Sequence, residues 1–216
     1  MVIGITAPDR LKQPKPLIAL LCFLGMSYRY LLFNKPYGVL SQFSGGSSER
    51  STLQAFIPIQ GVYPVGRLDR DSEGLMLLTD HGRIQHRLSD PKFGHPRTYW
   101  AQVEHIPTEA ALKQLASGLE IQNYQTRPAQ VKRLTTDVKF PPRNPPIRDR
   151  KSVPTAWIEL TLTEGKNRQV RRMTAAIGHP TLRLVRVAIA HLCLAGLPPG
   201  QWRDLNPSEQ RQLLKL

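Results

Sequence analysis

The chain sets short apolar runs between polar breaks rich in glycine and proline, and most of the runs have strand length. Tyr30-Leu31-Leu32-Phe33-Asn34 is closed by Lys35-Pro36-Tyr37-Gly38, which predicts a strand and then a turn. Val39–Phe43 predicts a second strand ahead of a Gly/Ser loop at Ser44–Ser51. Leu75-Met76-Leu77-Leu78-Thr79 has the pattern of a buried strand. Ala156–Thr163 alternates Ile158, Leu160 and Leu162 with Trp157, Glu159 and Thr161, as a half-buried strand does. Thr98–Val103, Pro128–Leu134 and Leu182–Val187 predict three more. Helices are fewer. Gly82–Leu88 suits one. Thr108 is a good N-cap for a second, carried by Leu112 and Leu115 and stopped by Gly118. Asn167–Ile177 is closed by Gly178 and Pro180, and Pro207 opens a last helix over Ser208–Leu214. Many strands with few helices between them predict an α+β fold, with a mainly antiparallel sheet and flanking helices. Trp157 and Trp202 read as core.

Composition narrows the partners. The 216 residues are enough for one ordinary domain or two small ones, and 40% hydrophobic with 21% charged residues is globular. Lys and Arg exceed Asp and Glu by 14. Between Arg127 and Arg186 stand 14 basic residues against four acidic ones, so this stretch holds ten of the net charges. A one-signed cluster fits a polyanion, although charge alone separates neither RNA from DNA nor a binder from an enzyme, and a solvated surface remains the plain alternative. Lys139–Pro154 holds five prolines and reads as a basic loop. Cys22 and Cys193 are too few for a disulfide scaffold or a zinc site, which fits a reducing, cytoplasmic setting. The six histidines show no ligand spacing, so no metal is assigned. Arg10, Lys12 and Lys15 precede an apolar run, Leu17–Met26, that is shorter than the roughly 18 residues of a membrane span. Residues 1–27 therefore read as a disordered or lightly packed extension, and 28–216 as one folded domain.

One loop gathers charge between apolar strands: Arg67, Asp69, Arg70, Asp71 and Glu73, bounded by Gly66 and Gly74. Asp69, Asp71, Glu73, Gly74 and Asp80 partly match a calcium loop, but two arginines and the apolar run from Leu75 oppose a cation there. A carboxylate flanked by Arg67 and Arg70 stays ionised, and in a cleft it serves as nucleophile or base. An ordinary salt-bridge network is the other reading of the same residues.

Gly66-Arg67-Leu68-Asp69-Arg70-Asp71-Ser72-Glu73-Gly74-Leu75, with Leu78-Thr79-Asp80-His81-Gly82, resembles the catalytic motif of the RsuA/RluA-type RNA pseudouridine synthases. Phe33–Val39, Arg97-Thr98-Tyr99 and Glu164–Met173 resemble three further motifs of that family, in order. The proline-rich run Pro142–Thr155, and the lack of an S4-type domain before the motifs, resemble its group acting on 23S ribosomal RNA within the RsuA branch. The resemblance implies a catalytic domain at 28–216 with the pseudouridine synthase fold and a central RNA-binding cleft. It implies isomerisation of one uridine in 23S rRNA, free or in a pre-ribosomal particle, by a monomer, with no cofactor and no membrane. It makes Asp69 the essential carboxylate, Tyr99 the ring that stacks on the uracil and Arg171 the partner that holds Asp69 ionised. Arg67 would fill the space left by the extruded nucleotide. Arg70, Lys35, Lys166, Arg168 and Arg172, together with Arg143, Arg148, Arg150 and Lys151 of the basic loop, would contact RNA. The rivals are a catalytically silent RNA-binding or ribosome-assembly protein on this scaffold and a basic DNA-associated protein. An intact Arg67-Leu68-Asp69 favours the enzyme, and no helix-turn-helix pattern supports the last.

Overall fold

A computed structural model describes residues 28–47, 50–135, 138, 140–147 and 152–216. The 1–27 extension, Arg148, Arg150 and Lys151 lie outside the described residues. In chain order the elements are β1 (Tyr30–Lys35), β2 (Tyr63–Pro64), β3 (Glu73–Thr79), α1 (Gly82–Ser89), β4 (Arg97–Glu104), α2 (Glu109–Ser117), β5 (Glu120–Ile121), β6 (Tyr124–Gln125), β7 (Gln130–Leu134), β8 (Thr155–Leu162), α3 (Gln169–Ala176), β9 (Thr181–Ile189), β10 (Leu192–Cys193), β11 (Trp202–Asp204) and α4 (Pro207–Leu213).

The main sheet runs β11-β1-β3-β9-β4-β8-β7, with β2 beside β3 and β10 beside β9. Its pairs are antiparallel except β3 with β9, which meet in parallel at Glu73–Val185 and Gly74–Arg186. β1 and β3 are buried at every position, and their unbroken apolar runs Tyr30–Phe33 and Leu75–Leu78 arise because both of their faces are covered. Leu32, Leu75 and Leu77 join one core cluster with α1 and α4 residues, while Leu31, Phe33, Met76 and Leu78 join another. A third cluster packs α2 and α3 on β4 and β8 through Leu112, Leu115, Met173, Ile158 and Leu160. Tyr99 touches both the second and the third cluster, so it stands where the two halves of the sheet meet.

Local signals place the helices. The Thr108 hydroxyl accepts from Ala111 N at 3.2 Å, and Gly118 caps the other end of α2. Asn206 and Glu209 form a reciprocal capping box on α4, with Pro207 in its first turn. One expected strand does not form. Between Val39 and Phe43 only Leu40 makes an isolated bridge, to Thr52. Gln42 N donates back to the Leu40 carbonyl at 2.9 Å, a tight turn that breaks any ladder. Trp157 and Trp202 are half-buried at the margins, not in the core.

Candidate active site

The charged loop Gly66–Gly74 is held from behind by the chain that follows β1. The Ser41 hydroxyl donates to the Leu68 carbonyl at 2.6 Å and accepts from Leu68 N at 3.1 Å. Gly38 N donates to the Arg70 carbonyl at 2.8 Å, and Arg70 Nε returns a bond to the Gly38 carbonyl at 3.2 Å. Leu68 is buried, so Arg67 and Asp69 on either side of it are turned outward.

Lys35 completes this support and corrects an expectation. It is fully buried and therefore unable to contact RNA. Its Nζ donates to the carbonyls of Val39 at 2.8 Å, Pro36 at 3.0 Å and Arg70 at 3.5 Å. Burial lowers its pKa to about 8, against the upward pull of the Glu73 and Asp71 charges. Lys35 is thus a fastener of the loop. Lysine is so rarely enclosed that only the fold reveals this role.

The loop faces a cleft of about 310 Å³ between β4, β9 and the start of α3. Of the residues nominated from the sequence, Arg67, Asp69, Tyr99, Lys166 and Arg168 line it. Asp69 retains 33% side-chain exposure, and its nearest cation is Arg168, Nη1 to Oδ2 at 3.7 Å. Arg168 also grips Asp71 with two bonds, at 2.9 and 2.8 Å. It does so from a left-handed backbone, φ 51°, at the N-cap of α3. A non-glycine residue there costs on the order of 1 kcal/mol, and here the conformation accompanies a guanidinium placed between two carboxylates. Burial acts to raise the Asp71 pKa, but the Arg168 bonds and the Arg171 charge outweigh it, so the carboxyl is held below its usual range.

Arg171 departs from the expected pairing. Its ion-pair partner is Asp71, Nε to Oδ2 at 3.4 Å, and not Asp69. Nη2 donates to the Asp71 carbonyl at 2.6 Å and Nη1 to the Thr181 carbonyl at 3.2 Å. Arg171 therefore anchors the loop two residues beyond Asp69. Arg172 is not part of the cleft lining, but its Nη2 donates at 2.8 Å to the Oδ1 of Asn167, which is. Arg143 lies over the Tyr37 ring at 4.2 Å and bonds the carbonyls of Pro145 and Pro146. Tyr37 belongs to the turn behind the loop, so the proline-rich segment packs against the loop's support.

The far wall is organised by Glu164, which sequence reasoning left in a motif without a role. It is 3% exposed and accepts from Tyr124 OH, Arg127 N at 2.9 Å and Gln169 Nε2. Burial works against its ionisation, yet these three bonds hold its pKa below the usual value. Gln169 in turn accepts from Lys166 N at 2.9 Å, which fixes the turn before α3. Lys166 lies over the Tyr124 ring at 4.2 Å. Two other cleft residues, Arg97 and Arg186, were not nominated. Among the described residues no group of three His, Cys, Asp or Glu could hold a metal, and no helix is long and apolar enough to cross a membrane.

The arrangement is one partly open carboxylate and one aromatic ring in a single cleft, with cations on the rim. The sequence pattern of the RNA pseudouridylate synthase family matches residues 29–176. The ribosomal large subunit pseudouridine synthase E of Xanthomonas campestris pv. campestris is 57% identical over 175 residues, 80% of this chain and 93% of the relative. The ribosomal large subunit pseudouridine synthase B of Bacillus subtilis is 39% identical over 188 residues, 87% of this chain and 72% of the relative. A crystal structure of a pseudouridylate synthase superposes with a TM-score of 0.71 at 28% identity, covering 87% of this chain and 74% of that one. The chain belongs to the RNA pseudouridylate synthase family and is an isomerase of uridine in RNA.

Proposed function

We propose that residues 28–216 form one catalytic unit that converts a single uridine of large-subunit (23S) ribosomal RNA to pseudouridine, in the cytoplasm and as a monomer. The observation that carries the site is that Asp69 and Tyr99 line the same cleft. The choice of rRNA is supported by its relatives, ribosomal large subunit pseudouridine synthases up to 57% identical.

Asp69 is the reactive carboxylate in this reading. Asp71 has both oxygens held by Arg168, whereas Asp69 accepts no side-chain hydrogen bond among the described residues. An ionised oxygen with free lone pairs can attack C1′ or take a ribose proton. The N1–C1′ bond breaks, the uracil turns, C5 bonds to C1′, C5 gives up its proton and N1 gains one. Substrate and product are isomers, so no external electron or group enters. Tyr99 offers its ring to the base. Arg168 and Arg171 position the loop through Asp71. Exposed Arg67 at the edge enters the space left by the extruded nucleotide. Lys166, Arg168 and Arg67 on the rim, with Arg70, Arg143 and Arg172 outside it, draw the phosphate backbone in.

The test is pseudouridine mapping in 23S rRNA from cells lacking the gene, paired with release of label from C5 of uridine by the purified full chain. One missing site, restored by the chain, is expected. A complete set of pseudouridines in the deletion strain refutes the substrate.

A further inference from the structure

The cleft floor carries two polar groups that the chemistry above leaves unused. Arg186 lines the cleft and is 3% exposed. It stands directly opposite Tyr99 in the β4–β9 ladder and opposite Gly74 in the β3–β9 pair. Its Nε donates to the Leu75 carbonyl at 2.8 Å, but its Nη2 is buried without a hydrogen-bond partner. Ser72, 1% exposed, lines the same cleft, and its hydroxyl also lacks a partner. Only four buried side-chain atoms among the described residues are orphaned in this way, and two of them belong to this one cleft lining. Buried polar groups are almost always paired, so two orphans together ask for an explanation.

The charge balance points the same way. Arg97 also lines the cleft and donates to the Leu88 carbonyl at 2.6 Å. Among the described residues neither Arg97 nor Arg186 has a carboxylate in ion-pair contact. Arg183, three residues before Arg186 on the same strand, has both of its bonding nitrogens on Glu73. A buried cation without an acid is costly, and an electron-rich ligand relieves it. Burial and the charge of Arg186 both push the Arg97 guanidinium pKa down.

We propose that Arg186 and Ser72 form a pyrimidine-reading subsite, in which the Arg186 guanidinium donates to a ring carbonyl oxygen of the target uracil and the Ser72 hydroxyl bonds the same edge. The proposal rests on this cleft being the place where the target uridine binds. Three chemical consequences follow. A guanidinium only donates, so it accepts uracil, which shows the O4 carbonyl, and opposes cytosine, which shows an amine there. The uracil edge reads acceptor, donor, acceptor through O2, N3–H and O4. A half-turn that exchanges N1 with C5 also exchanges O2 with O4 and returns N3–H to its place, so one set of protein groups holds the base before and after the turn. When the N1–C1′ bond breaks, its electron pair leaves with the base and spreads over N1, O2 and O4. Donors bonded to those oxygens favour that charge.

The experiment compares single-turnover conversion of an rRNA fragment whose target uridine is unmodified, 2-thio or 4-thio. Sulfur is the weaker acceptor, so at least one thio substrate slows for the wild-type chain by about tenfold, as expected for a weakened charge-assisted hydrogen bond. Arg186→Met, its fold checked by thermal melting, converts the unmodified substrate about ten- to a hundredfold more slowly at unchanged RNA affinity, and its thio effect collapses towards one. Ser72→Ala shifts both quantities the same way by a smaller factor. A folded Arg186→Met that keeps the full wild-type thio effect overturns the proposal. Should that variant not fold, equal wild-type rates on all three substrates overturn it. Failure of the wild-type chain to convert any rRNA uridine is a different result and strikes the proposed function instead.

Discussion

Asp69 and Glu73 belong to one loop, four positions apart. The Glu73 side chain is 8% exposed, and its two oxygens accept from Arg183 at 2.9 and 2.8 Å. The Asp69 side chain is 33% exposed and has one cation at 3.7 Å. Glu73 faces the rear of the sheet, where Arg183 also donates to the Pro141 carbonyl at 3.0 Å and lies over Phe140. A carboxylate with both oxygens occupied holds elements together. One with its lone pairs open is fit to react. The difference comes from the surroundings, since the side chains are chemically alike.

That contrast breaks in the largest way at Asp69. Asp69→Asn removes the charge at nearly constant shape and is expected to lower single-turnover conversion by about 10³-fold or more. Its melting temperature and rRNA affinity should stay close to wild type. Residual turnover above a few per cent would move the chemistry to another group.

Glu73→Gln probes the opposite end and should do the reverse. It leaves the Arg183 charge enclosed without a countercharge, a loss of about 3–5 kcal/mol that lowers Tm by about 10 °C. Below that temperature the folded protein should retain most of its kcat. Stable protein with kcat reduced as strongly as in Asp69→Asn would erase the distinction between the two carboxylates.

Lys35 gives the smallest and most specific readout. With the folded pKa near 8 and the unfolded value at 10.5, the unfolded chain holds this proton between those limits and the folded chain has released it. Stability therefore rises with pH across that window for wild type and not for Lys35→Met. The Tm difference, wild type minus variant, should grow from pH 8 to 10. A flat difference means that the ammonium is not enclosed as described.

What the sequence disclosed follows the range of each interaction. The run Leu75–Leu78 was legible because both faces of β3 are covered, and α2 because Thr108 and Gly118 act within a few residues of themselves. β5, β6, β10 and β11 are two or three residues long, too short to show a period. Val39–Phe43 had strand composition, but Ser41 is committed to Leu68 in the loop, a contact across 27 positions. The motifs brought out Asp69, Tyr99 and Arg168. That Arg171 pairs with Asp71, and that Arg168 reaches both Asp71 and Asp69 from a left-handed backbone, is tertiary geometry that no pattern of residue types encodes. Arg186 was hidden for another reason: in a stretch with so many basic residues, the one that is buried looks like its neighbours.

Gly74 ties these parts together mechanically. Its φ is 104°, and a β-carbon on it would lie 2.3 Å from the Arg186 carbonyl oxygen. The segment bearing the acid and the strand bearing the basic floor thus touch through bare main chain, with no side chain between them to act as a cushion. They have no slack to slide past one another as a substrate enters. Shape adjustment on docking then falls to the nucleic acid, and the pace of the enzyme should follow how readily the RNA around its target comes unstacked.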